Sequence, residues 1–183
     1  MALWGNSSSD ESKPKWTTDG NKTADKQNVF ATAQGWVMRH YTKDDKSTHY
    51  DEILCAMGGL TTALADATIT SVHFDKKSYA RAASGKVIVV YNELVDVTNG
   101  ATLTVTASGQ SNPTATAAAQ TGTNRVVFTF TVPNAATTLS IGAQTISGTI
   151  KDAGTNVASD KVFAAGDVIG AGGRGSTKTI TVA

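Results

Sequence analysis

Between Gly100 and Ile150 the chain carries a single charged side chain, Arg125. A segment that uncharged suits strands packed face to face, or a surface that other copies cover. Inside it, "RVVFTFTV" (125–132) alternates strictly. Val126, Phe128 and Phe130 fall on one face, and Val127, Thr129 and Thr131 on the other, which puts the aromatic rings inward. "TLTVTA" does the same with Leu103 and Val105. The intervening "TNG", "SGQSNP", "QTGTN", "VPNA" and "DAGTN" are turn-forming. The strands expected from Thr68 onward are Ile69–Phe74, Val87–Tyr91, Thr102–Thr106, Arg125–Val132, Gln144–Lys151 and Thr177–Val182. Short strands at this spacing, without long amphipathic helices, predict a mainly β fold with a β-sandwich over residues 68–183.

The first 67 residues differ. They hold 7 of the 16 Lys/Arg and 9 of the 15 Asp/Glu. Residues 1–27 are polar, and such a segment buries too little surface to fold alone. Yet it carries Trp4 and Trp16, each able to bury roughly 200 Å² in a pocket. The expectation is an extended arm, either a disordered tail or a segment that orders against a neighbouring subunit. Beyond it, the apolar-rich runs Trp36–Tyr41 and Tyr50–Met57 flank the polar tip "TKDDKST" and predict a β-hairpin. A helix over Asp51–Ala65 is the alternative, but Gly58-Gly59 would interrupt it at about 1 kcal/mol per glycine.

Charge and cysteine usage narrow the function classes. The formal net charge is +1, and no stripe of Lys/Arg with stacking aromatics appears, so nucleic acid is not an expected partner. No apolar run is long enough for a membrane span, and the start has no secretory pattern. One cysteine, Cys55, permits no intrachain disulfide, which suits folding in a reducing cytoplasm.

The second half resembles bacterial immunoglobulin-like domains of surface and phage proteins. The matching stretches are "SVHFDKKSYARAASGKVIVVYNELVDVTNGATLTVTASG", "RVVFTFTVPNAATTLSI" and "TISGTIKDAGTNVAS". The last contains a closing turn, Gly148–Asn156, with Thr155 where such domains often have glycine. The start "MALWGN" and the stretch "GWVMRHY…DEILCAMGGL" resemble N-terminal portions of virion structural proteins of tailed phages, especially myoviruses of marine cyanobacteria. The resemblance implies an immunoglobulin-like β-sandwich (68–183) preceded by a small hairpin module and arm (1–67). It implies a virion protein assembled in the host cytoplasm, and a capsid decoration (cement) protein above all. A neck or tail component, or an adhesion module for a host-surface glycan, is the alternative. Its partners would be the major capsid protein or other virion subunits, with copies arrayed as a homo-oligomer or lattice. Trp4, Trp16, Trp36 and Tyr41 are the expected docking residues, because Trp and Tyr dominate interface energetics.

Other motifs carry less. "GAGGRG" (170–175) fits G-x-G-x-x-G, but "STKTITVA" follows it, too short for the helix such a loop opens. It reads as a loop entering the last strand. His40, His49 and Cys55 match no common zinc spacing, and a His–Cys pair near Asp51 and Glu52 would need an orienting third group. Asp152, Asn156, Asp160 and Asp167 could offer oxygens to calcium, but their spacing is not that of an EF-hand. The expectation is a non-enzymatic protein without cofactor, metal or catalytic residues.

Overall fold

In "RVVFTFTV" the backbone uses the predicted alternation. Val126 and Phe128 are fully buried and Phe130 is 5% exposed, while Thr129 and Thr131 face solvent. The structure, a computed structural model, describes residues 29–32, 35–41, 48–56, 66–171 and 177–183. Among them every regular element is a strand. In chain order these are β1 (Val29–Thr32), β2 (Gly35–Tyr41), β3 (His49–Ala56), β4 (Ile69–Phe74), β5 (Ser78–Tyr79), β6 (Ser84–Val97), β7 (Ala101–Thr104) and β8 (Thr106–Ala107). Then follow β9 (Thr114–Ala117), β10 (Gln120–Thr131), β11 (Thr137–Ser140), β12 (Gln144–Thr145), β13 (Ile150–Asp152), β14 (Val162–Phe163) and β15 (Ile180–Val182).

The largest sheet has nine strands, with the path β3-β2-β1-β6-β10-β9-β7 and with β4 and β13 also paired to β6. A second sheet runs β5-β15-β11-β8, and β12 pairs with β14. Both large sheets feed one core. Val87, Val89 and Tyr91 of β6 and Phe128 of β10 meet Leu139 of β11 and Ile180 of β15 there. This is two-layer packing, with each buried Phe or Leu contributing about 1.5–3 kcal/mol. The last strand, β15, lies between β5 and β11 rather than at an edge.

β6 is the spine. It was expected as Val87–Tyr91 and runs from Ser84 to Val97. Its first part pairs with β4 on one side and β10 on the other; farther along, β13 pairs with it from Val95 to Val97. Two register irregularities against β10 near Thr123 let so long a strand bend.

Two expected strands are broken. Thr102–Thr106 splits at Val105, whose N–H donates to Pro113 O at 2.9 Å instead of joining a ladder. The chain there leaves the large sheet as β7 and enters the second as β8. Gln144–Lys151 splits at Ser147–Gly148. The Ser147 N–H donates to Thr102 O at 2.9 Å, and Gly148 turns the chain with φ +86°. A Cβ on Gly148 would lie 2.7 Å from the Ala101 Cα, so glycine is required there on two grounds. The last strand is shorter than Thr177–Val182, covering Ile180–Val182.

The hairpin module is joined to the sandwich. β1 pairs antiparallel with β2 and parallel with β6, through Ala31 beside Glu93. One sheet therefore crosses the expected boundary at residue 67. Ala67 itself is fully buried in the main core.

Candidate interaction surface on the N-terminal hairpin

β2 and β3 pair from Gly35–Ala56 to Tyr41–His49, with one irregularity between Trp36 and Val37 that leaves Leu54 as the extra residue. Alternation sorts their side chains. Trp36 packs with Val29 and Ala31 in a small cluster, flanked by Met38, Leu54 and Cys55. Farther along, the hairpin is held by polar and aromatic pairs. Arg39 Nε donates to Asp51 Oδ1 at 2.8 Å, and Arg39 Nη2 to Asp51 Oδ2 at 2.9 Å. The same guanidinium lies 4.8 Å from the centre of the Phe30 ring, a cation–π distance. His40 Nε2 donates to Glu52 Oε2 at 2.7 Å, and the His40 ring stacks on Tyr50 at 4.9 Å. The hydrogen bonds from Arg39 hold the Asp51 carboxyl below its ordinary value.

β3 ends the nine-stranded path, and among the described residues it pairs only with β2. Its residues His49 to Ile53 are all exposed. Tyr50 is 59% and Ile53 50% exposed, two of the four large apolar side chains open to solvent among the described residues. The opposite end of the sheet is closed differently. On the outer side of β7, Ser147 bridges Thr102, and the Gln144 side-chain amide meets both backbone groups of Thr104. The edge strand of the second sheet, β8, is capped too, where Asn112 Oδ1 accepts the Ala107 N–H at 3.0 Å. β3 has no proline and no lysine, two of the devices that discourage edge pairing. Among the described residues it is an edge strand, exposed from His49 to Ile53.

The expected docking residues divide. Trp4 and Trp16 lie outside the described residues. Trp36 is 1% exposed and occupied in the hairpin's own cluster, because β1 lays Ala31 directly opposite it. In this conformation it presents almost no surface to a partner. Tyr41 ends β2 opposite His49. Tyr50 and Ile53 were not singled out by sequence. Their signal was their place on the second arm of the hairpin, and alternation cannot tell an edge strand from a covered one.

The motifs weighed as chemistry come apart in space. His40 stands opposite Tyr50 and Cys55 opposite Trp36, four β2 positions away, or about 13 Å. They form no ligand set and no nucleophile–base pair. Asp152, Asp160 and Asp167 each serve their own turn. Asp152 Oδ1 accepts the Gly154 N–H (2.9 Å), the Thr155 N–H (2.6 Å) and the Thr155 hydroxyl (2.8 Å). Asp160 Oδ1 accepts the Val162 N–H, and Asp167 Oδ2 the Ala164 N–H. The turn expected at Gly148–Asn156 is thus built on Asp152, with Asn156 in the left-handed region at φ +61°. Among the described residues no three His, Cys, Asp or Glu side chains gather as a metal site. Of "GAGGRG", residues 172–175 lie outside the described residues, as does the hairpin tip 42–47.

Comparison with known protein families, with curated proteins and with solved structures returns no match for this chain.

Proposed function

We propose that this chain is a non-enzymatic structural subunit of a tailed-phage particle. In this reading it is a capsid decoration protein that docks through residues 1–67 on the major capsid protein and turns an immunoglobulin-like sandwich (68–183) outward. The observation that carries the docking half is the open edge of β3, with Tyr50 and Ile53 exposed beside it. An extended segment of a partner subunit, whether a shell protein or a neighbouring copy, can add to such an edge, where main-chain hydrogen bonds give affinity and alternate side chains give specificity. The virion half rests on the resemblance of "MALWGN" and "GWVMRHY…DEILCAMGGL" to phage structural proteins.

Binding only the assembled lattice would stabilise it by linkage, and an array of copies makes weak contacts sufficient. The test is co-sedimentation of the full chain with purified phage shells. Binding that Ile53→Asp abolishes supports the reading. Retention on neck or tail assemblies, with none on shells, moves the protein along the particle. Binding to a glycan array and to no particle replaces docking with adhesion.

A further inference from the structure

The chemistry of the open edge narrows what it accepts. In the exposed run His49–Ile53 the central residues are Asp51 and Glu52. Two copies of β3 pairing antiparallel about the middle of this run would set Asp51 against Asp51, and a shift by one residue would set Asp51 against Glu52. Like charges directly opposed destabilise a cross-strand pair. Beyond Ile53 the irregularity at Leu54 interrupts a regular ladder. The edge therefore discourages its own copy and favours a strand that brings cations. β2 shows the pattern that fits, with Arg39 opposite Asp51 and His40 beside it.

The chain contains such a segment in its first 28 residues. "KPKWTT" (13–18) places Lys13 and Lys15 on one face of an extended strand and Trp16 on the other. In antiparallel register, Lys15 opposite Asp51 brings Trp16 opposite Tyr50. One alignment thus matches a cation with a carboxylate on one face and two aromatic rings on the other. Pro14 falls opposite Glu52. An edge position suits proline when its nitrogen faces away from the ladder. The 12 residues between Trp16 and Val29 can span up to about 40 Å, far enough to reach a neighbouring molecule.

We propose that the N-terminal segment Lys13–Thr18 of one copy adds as an antiparallel strand to β3 of a neighbouring copy, with Lys15 against Asp51 and Trp16 against Tyr50. This deepens the proposed function, and its bearing on a particle rests on that reading. The contact would link decoration subunits to one another and leave Trp4 for the shell. The pairing itself is a property of the purified protein.

The test mixes isotopically light and heavy full-length chain and couples touching Lys and carboxylate side chains with a carbodiimide, read by mass spectrometry. Sedimentation velocity of the same chain over a range of concentrations runs in parallel. The expected result is a mixed light–heavy crosslink from Lys13 or Lys15 to Asp51 or Glu52, with concentration-dependent association. Lys15→Glu should weaken association about fivefold and Trp16→Ala about tenfold or more. Crosslinks confined within single copies would overturn the proposal, as would a chain that stays monomeric. Association indifferent to Lys15→Glu and Trp16→Ala would overturn it in favour of a different contact. Failure of this pairing leaves particle binding to be judged by co-sedimentation, so the two readings fail separately.

Discussion

The side-chain amide of Gln144 pairs with both backbone groups of Thr104: the Thr104 N–H donates to Gln144 Oε1 at 2.7 Å, and Gln144 Nε2 donates to Thr104 O at 2.8 Å. A side chain here does what a neighbouring strand would do. Gln120 repeats the device, accepting the Val127 N–H at 2.9 Å and donating to Val127 O at 3.1 Å. The two differ in setting, since the Thr104 pair is exposed and the Val127 pair partly buried. Water can replace an exposed partner and cannot easily replace a buried one. Gln120→Ala should therefore cost about 1–3 kcal/mol and Gln144→Ala about 0.5–1 kcal/mol. Urea unfolding of both variants checks the order.

Gly148 predicts a larger effect. Any Cβ there meets the Ala101 backbone at 2.7 Å and sits at φ +86°. Neither party to that contact is a flexible side chain. Gly148→Ala should destabilise the sandwich by about 2–5 kcal/mol, combining left-handed strain and overpacking. Gly142→Ala is the control, because nothing lies within 4 Å of a Cβ there. A thermal melt compares them.

The core tyrosines set an alkaline limit. Burial pushes the Tyr79 and Tyr91 hydroxyls well above their usual value of 10.0, with the Asp75 hydrogen bond adding to the shift at Tyr79 and the Asp160 charge at Tyr91. Below that value both folded and unfolded chains keep the proton and stability does not change. Above it the unfolded chain ionises first, so stability falls as pH rises. Tyrosinate absorbance should show these two groups ionising together with unfolding. Replacing Tyr79 by Phe should flatten part of the loss while removing its bond to Asp75.

At the acid end the hairpin has its own titration. Arg39 holds the Asp51 carboxyl below its ordinary 3.8, so the ion pair stabilises the hairpin above that pH. The contribution is lost as pH falls through the lowered folded value. The Asp51 side chain is 34% exposed, which limits the pair to the modest range of surface bridges, about 0.2–1 kcal/mol. Asp51→Asn should lower stability by that amount at neutral pH and bring the variant and the natural chain together in strong acid. Amide exchange along β2 reads it locally.

Much of the sandwich was legible because its strands obey a local rule. β4 runs from Ile69 to Phe74 as its alternation predicts, and Phe128 and Phe130 turn inward as theirs does. What the pattern could not supply depends on distant partners. β1 has four residues, and it is a strand because β2 and β6 flank it, the latter through Glu93. The break at Gly148 comes from Ala101, which no local window around it contains, and the break at Val105 from the Pro113 carbonyl, whose return to Val105 no alternation pattern announces. The same limit hid the burial of Trp36, an interface residue by type that packs beside β1. Tyr50 and Ile53 stand out only once β3 is known to end its sheet.

A density map of the intact particle, with this chain located in it, tests the central claim that the N-terminal hairpin is the attachment face. The account predicts β3 covered, with Tyr50 and Ile53 within contact of a shell protein or of a neighbouring copy's arm, and the second sheet turned to solvent. A chain anchored through the sandwich, with β3 bare in solvent, would contradict it, as would its absence from the particle.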